Sequence, residues 1–442
     1  RIGNDGPWSS FEVRIGSNQQ DVGVLVSTAG SETWVVWEDG GCQAGNSPST
    51  CPTDRGGLVN ISQSSTWTNH SSDLLGLEQN LGLNEPWDDG WFGFDTVGLA
   101  WQGQNGPTLD NQTIALYDTT DFFTGIFGIS PYSTNFTGYN TDQSVPTFFT
   151  NLRTNNSIPS LTWAYTAGAQ YRNKGVLASL VFGGYDSARL YPSNTTFQMG
   201  SNNNRDLLIG IEGMTYSQGS NTTSLMAGSS GVYAFIDSTV AELWLPLDVC
   251  QAFESAFNLT WDDASQLYLV SDDLHNTLMS QNASVTLQLA DNVGLGASSQ
   301  NTVNITLPYD SFDLTASWPL VNSSSNYFPL KRAANDSQYT LGRTFLQEAY
   351  VIADYDHWNF SISPCRWDTA SSSTLVAITT DGTGSAGGTS LATSTSSSSS
   401  KHGLSGGAIA GIVVGVLLGL GLLAGLLLLF LRRRRRERAE NR

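Results

Sequence analysis

The sequence predicts an all-β protein built as two similar lobes, an expectation carried by composition, a repeated motif and length. Glycine is abundant (45 residues), aromatics make up 11% of the chain, Ser, Thr and Asn are common, and lysine is scarce. Turns consume Gly and Asn while strands consume aromatic and β-branched residues, so this profile suits an all-β extracellular protein. Val24 to Val36 reads VLVSTAGSETWVV: an apolar strand-like run, a tight turn of small residues, and a second apolar run anchored on Trp34. About two hundred residues later the design returns as AFIDSTVAELWLP, Ala234 to Pro246. A chain of 442 residues has room for two such domains with sizeable cores and further segments at the end.

Charge and modification signals point to the cell exterior. The formal net charge is −19, although the last eleven residues, from Arg432, carry seven Arg against two Glu. So acidic an ectodomain argues against nucleic acid as a partner. Asn-x-Ser/Thr sequons are dense, at Asn60, Asn69, Asn111, Asn135, Asn155, Asn194, Asn221, Asn258, Asn282, Asn304, Asn322, Asn335 and Asn359, which suggests glycosylation on a secreted route. Four cysteines, Cys42, Cys51, Cys250 and Cys365, fit an oxidising compartment and allow three pairings. The chain opens at Arg1 without an initiator Met, and a removed leader peptide is expected.

Laid on each other, the two motif copies put Ser27 opposite Asp237, Thr28 opposite Ser238 and Ala29 opposite Thr239. This arrangement resembles the pepsin-like aspartic peptidases, whose two lobes each present a strand ending in Asp-Thr-Gly and whose two aspartates meet between the lobes. The resemblance covers residues 8–365 and implies a bilobal pepsin-like fold, with residues 1–170 as the N-terminal lobe and 171–365 as the C-terminal lobe.

Taken in order, Trp8 to Gly16 (WSSFEVRIG) alternates apolar and polar residues, the pattern of a half-buried strand. Cys42 and Cys51 match a small disulfide loop common in the family, a structural staple. A Cys250–Cys365 pair would then tie the loop after the second motif to the last strand. Leu75 to Leu99 ends in GFDTVGL, which looks like the strand after the family's flap hairpin. Counting back puts Leu83 where the family carries a flap tyrosine, with Trp87 or Trp91 as the alternative occupant. Gly125 to Ser130 (GIFGIS) resembles the turn that braces the first active loop from behind, its glycines expected where backbones approach closely. LASLVFGGYD, Leu177 to Asp186, resembles the opening strand of the second lobe, and GRTFLQEAYVIAD, Gly342 to Asp354, the second brace and closing strand.

Residues 366–406 are dominated by Ser, Thr, Gly and Ala and hold too little apolar surface to pack, so a disordered, O-glycosylated stalk is expected. Residues 407–431 are uncharged and apolar, long enough as a helix to span a bilayer of about 30 Å at about 1.5 Å per residue. Arg432 to Arg436 follow at once, which by the positive-inside rule predicts one transmembrane helix in the plasma membrane, the lobes outside and a short cytoplasmic tail. A GPI signal is the rival, but such signals end apolar. Gly407, Gly411, Gly415 and Gly419 recur every four residues and could form a helix dimer face. Stalk, anchor and basic tail together resemble those of fungal wall-sensing surface proteins.

Aspartic peptidases need two carboxylates sharing one proton and holding one water. Here the resemblance implies Asp237 as the remaining aspartate and Ser27 at the position of the lost one, and a serine hydroxyl does not ionise to fill that role. Ala29 and Thr239 replace the glycines of the motif and add bulk, while Thr28 and Ser238 keep the hydroxyls that brace the loops. Glu32 or Asp39 are the substitutes weighed for the missing acid. A nucleophilic Ser27 would need a base, and nothing places His70, His275 or His357 beside it, while His402 lies in the stalk. The sequence shows no metal-ligand cluster or phosphate loop and implies no cofactor. The leading expectation is therefore a cell-surface, catalytically inactive homologue whose cleft binds peptide or a cell-wall glycan. The alternatives are an active tethered acid endopeptidase, or a sensor or adhesion head on a stalk.

Overall fold

The computed structural model describes residues 1–380 apart from 44–46, 84–88, 105, 139–140, 174, 194, 295–300 and 368–372. Most of the stalk, the apolar run at 407–431, the Arg-rich tail and the sequon at Asn194 lie outside the described residues. Among the described residues no helix is long and apolar enough to cross a membrane.

The described chain is mostly strand, as the composition predicts. Seven strands form the first sheet: β1 (Phe11–Ile15), β2 (Gln20–Ser27), β3 (Thr33–Val36), β4 (Thr68–Leu74), β5 (Asp89–Leu99), β6 (Thr108–Tyr117) and β7 (Gly125–Gly128). Their order is β1-β2-β7-β3-β6-β5-β4, and β1 also pairs with β5, which curls the sheet on itself. β2 is buried on both faces, so it reads as a continuous apolar run rather than an alternation. Val22, Val24 and Val26 enter the main core, while Leu25 faces a cluster with Trp8 and Ala241.

The repeated motif is repeated structure. β2 runs parallel to β7, with Ser27 opposite Gly128, and β7 is antiparallel to β3. In an eight-stranded sheet, Val232–Ile236 runs parallel to Thr340–Leu341, which is antiparallel to Leu243–Leu245. Each small-residue turn is thus carried between two strands separated by a third from far along the chain. A five-stranded sheet joins the regions: Thr162–Thr166 pairs with both Ser179–Phe182 and Ala349–Asp354. A boundary near residue 170 falls in the connection between two strands of this one sheet.

The cysteines correct one expectation. Cys42 and Cys51 are bonded, but Cys250 and Cys365 are free buried thiols. Cys250 lies in the helix Leu247–Phe257 and donates towards Leu245 O and Lys331 O at 3.5 and 3.4 Å. Cys365 sits in a separate apolar cluster with Ala164 and Tyr350, its Sγ 3.3 Å from Thr166 Oγ1. Two thiols seated in different cores cannot bridge without moving backbone. None of the twelve sequon asparagines within the described residues is buried, so each is open to a glycan in the fold.

Candidate active site

β2 delivers Ser27 and the strand Val232–Ile236 delivers Asp237 to the middle of the molecule, where both are fully buried. The next residue of each turn locks the two together. Thr28 N donates to Ser238 Oγ and Ser238 N donates to Thr28 Oγ1, both at 3.0 Å. The same hydroxyls donate onward across the junction, Ser238 Oγ to Val26 O at 2.7 Å and Thr28 Oγ1 to Ile236 O at 3.3 Å. This reciprocal set satisfies four buried backbone groups and fixes one turn against the other.

Thr239, expected only as added bulk, is a hydrogen-bonding member of the site. Its backbone N and its Oγ1 both donate to Asp237 Oδ1, at 2.8 and 2.6 Å. Since the Thr239 proton is spent on Asp237, the 2.7 Å contact between Ser27 Oγ and Thr239 Oγ1 must have Ser27 as donor. Ser27 Oγ in turn accepts from Gly30 N at 2.7 Å. A directed chain from Gly30 N through Ser27 and Thr239 therefore ends on Asp237, and no base is available to activate Ser27. The other oxygen, Asp237 Oδ2, is buried without a hydrogen-bond partner.

Glycines back both turns, for the expected reason. A Cβ on Gly128 would lie 2.5 Å from the backbone of Gly30, and one on Gly342 2.4 Å from Glu242 O. Beside the latter, Arg343 Nη1 donates to Ser238 O and Thr239 O at 2.9 and 2.7 Å, holding the second turn from below.

A cavity of about 430 Å³ opens over the turns, lined by Ser27, Thr239, Leu83, Phe122, Ile126 and Leu320 among others. Leu83 thus lies in the cleft wall, where it packs with Leu81, Val240 and Trp244. Trp91 instead stacks on Trp37 along β5, and Trp87 is outside the described residues.

One acid that the sequence analysis does not name, Glu78, feels the Asp237 charge. Glu78 is half-buried. Burial, followed by the adjacent Asp237 charge, raises its pKa well above the usual carboxylate range, with Arg205 pulling the other way. A lone acid among the leucines of LGLEQNLGL, just where the flap is predicted, was the available signal.

The substitutes named from sequence do not reach the site. Glu32 is half-buried and accepts from Trp34 Nε1 and Thr134 Oγ1, both at 2.7 Å, and Asp39 is exposed. His70 packs against Phe94 and Phe136, His275 pairs with Asp313 and His357 with Asp354. His402 lies outside the described residues. Among the described residues no group of three His, Cys, Asp or Glu side chains is arranged to hold a metal ion.

Comparison with known proteins accounts for this geometry. The sequence profile of the family described as eukaryotic aspartyl protease matches residues 10–365. Secreted aspartic protease 8 of Candida albicans is 27% identical over 380 residues, covering 84% of this chain and 78% of the relative. Candidapepsin of Candida tropicalis is 26% identical over 372 residues, covering 83% and 82%. The crystal structure of an aspartic proteinase from Irpex lacteus is similar in fold, with a TM-score of 0.50 at 18% identity, covering 83% of this chain and 98% of that one. Two turns locked by Thr28 and Ser238, each braced by a glycine, stand on a chain that belongs to the eukaryotic aspartyl protease family.

Proposed function

We propose that the chain is a surface-tethered pepsin-like protein whose cleft holds extended peptides, and in which the family's pair of aspartates on one water is not in place. The observation that carries this reading is the Ser27 hydroxyl, tied through Thr239 to Asp237 where a second carboxylate would be needed. A hydroxyl with a pKa far above that of a carboxylic acid cannot share a proton with Asp237 on equal terms. The cleft beside it stays open and is walled by apolar side chains such as Leu83, Phe122 and Leu320, with hydroxyl groups and the charged Asp5, Asp121, Glu242 and Arg343 among them, a mixed lining that suits a peptide. The secreted proteases to which the chain is similar support a peptide rather than a glycan ligand. The uncharged run at 407–431 and the following arginines support the tether.

The test uses the full chain in detergent and fluorescence anisotropy with a labelled peptide library. Binding should be saturable and should weaken by about 10-fold or more in Leu320→Arg, which places a charge on the half-exposed rim of the cleft. Absence of binding, or binding indifferent to that substitution, would remove the groove from consideration.

A further inference from the structure

The hairpin of β4 and β5 is covered on one face and bare on the other. Phe92 and Phe94 turn into the cluster of Trp34, and His70 stacks on Phe94. On the opposite face Trp91 is 40% exposed and stacks on Trp37, with ring centroids 6.5 Å apart. Ser72 is the cross-strand partner of Trp91, and Leu74, two residues further on the same face, is 50% exposed. Gly93 continues this face, and its lack of a side chain leaves room for the half-buried Trp67: a Cβ there would lie 2.5 Å from Trp67 Cη2. Trp37, Trp91 and Trp67 therefore follow one another along the outer side of the hairpin, an apolar strip of the kind that marks a binding surface.

The residue paired with Gly93 on β4 is Asn69, which is exposed and opens the sequon Asn69-His70-Ser71. Directly opposed residues of an antiparallel pair point to the same face. Asn69 therefore leaves the strand on the tryptophan side, with Trp67 two residues before it and Trp91 as its diagonal neighbour, a relation that places side chains about 7–8 Å apart. N-acetylglucosamine has the chemistry to meet this strip. Its pyranose ring presents axial C–H groups on its faces and hydroxyls at its rim. The weakly positive C–H hydrogens suit the negative face of an indole, while the hydroxyls stay in water.

We propose that the N-linked glycan of Asn69 lies along this strip, its innermost N-acetylglucosamine against Trp67 and Trp91, and so covers the outer side of the hairpin. Attachment replaces one Nδ2 hydrogen by the anomeric carbon of the sugar. The pyrophosphate of an activated, lipid-linked sugar donor leaves with the electron pair of the broken C–O bond, and the amide proton passes to a base. The occupant is this chain's own glycan because the sequon asparagine stands inside the strip, so the sugar arrives tethered and docks at a high effective concentration. The consequence reaches the cleft. β4 runs on into Leu75 and Leu77, buried beside Trp34, and then to Leu83 in the cleft wall. A hairpin covered on both faces holds that wall in place.

The experiment uses the full chain in detergent, secreted by a eukaryotic host, and reads hydroxyl-radical oxidation of Trp67 and Trp91 by peptide mass spectrometry. Asn69→Gln should raise oxidation of both several-fold and lower the melting temperature by about 2 °C or more. Asn304→Gln, which removes an exposed sequon on another sheet, should change neither. Trimming with an endoglycosidase that leaves one N-acetylglucosamine on each asparagine should preserve the protection. Removing whole glycans from the already folded protein should abolish it, which separates loss of the cover from a failure to fold. An unoccupied Asn69 in the secreted protein, or oxidation of Trp91 indifferent to both Asn69→Gln and whole-glycan removal, would overturn the proposal. Protection of the native glycoprotein that vanishes on dilution would give the strip to a second copy, and protection that needs added oligosaccharide would give it to a foreign glycan; either result would overturn it too.

Discussion

Ser27 Oγ is held at 2.7 Å by Gly30 N on one side and Thr239 Oγ1 on the other, in a spot with no solvent exposure. An aspartate there would have to fit a larger carboxyl group into that space and press its charge on Asp237. Ser27→Asp alone is therefore expected to give little or no peptide cleavage, because misplacement of a reacting group by about 1 Å costs on the order of 100-fold. Adding Ala29→Gly and Thr239→Gly should open the space, and a peptide-cleavage assay of the single and triple variants checks this; equal activity in both would show that the bulk is harmless. The residues concerned were legible in the sequence to different degrees. Ser27, Thr28, Asp237 and Ser238 came from laying two copies of one motif on each other, which needs no structure. Thr239 was noticed for its size, but its hydrogen bonds depend on a partner from the other turn. Glu78, which feels the Asp237 charge, escaped because that influence joins residues far apart in the chain through a segment with no motif of its own.

At the scale of elements, the strand runs and the brace glycines were readable because burial on both faces and close backbone approach leave marks in composition. The cysteine pairing was not, since a count of thiols carries no distance, and Cys250 and Cys365 pack in separate clusters. Asp206 shows the same kind of non-local determination and yields a pH effect. It follows the helical turn Asn203–Arg205 and meets Tyr132, which lies beyond β7, the Tyr132 hydroxyl donating to its Oδ2 at 3.1 Å. The Tyr132 ring packs edge-on against Tyr355, which lies beyond Ala349–Asp354. Burial raises the Asp206 pKa to about 6, against the partial opposition of its hydrogen bonds. The folded protein thus binds this proton more tightly than the unfolded chain, so stability from this group is complete below about pH 4 and is lost as pH rises to about 6. The loss is on the order of 2–3 kcal/mol, and Asp206→Asn should abolish this slope while leaving stability at low pH nearly unchanged. Urea denaturation of both proteins at pH 4 and pH 7 measures it, and a parallel pH dependence in the variant would assign the effect elsewhere.

At the scale of the molecule, the chain separates an acidic, sequon-rich head from a short basic end. The distribution has physical consequences for orientation. Arg432 to Arg436 adjoin an uncharged run of 25 residues, and a cluster of arginines beside an apolar span resists transfer across a membrane. The sequons all precede the stalk, and the twelve within the described residues are accessible in the folded head, so the head is the part suited to a glycosylating lumen. If the head lies outside, as proposed, the cleft over the two turns opens to the extracellular medium, and its binding would respond to that pH rather than to that of the cytosol. Protease added to intact cells should therefore remove the head and leave a membrane-bound piece of only a few kilodaltons that carries the arginines, detected with a tag after Arg442. Resistance of the head to that protease in intact cells would reverse the orientation. Release of the head by a phospholipase that cleaves GPI anchors, with loss of the tag, would replace the helix by a lipid. Survival of the tag in the membrane fraction after alkaline washing separates a spanning segment from a tail held by charge, because arginines bound to anionic lipid headgroups are released by salt whereas a spanning helix is not.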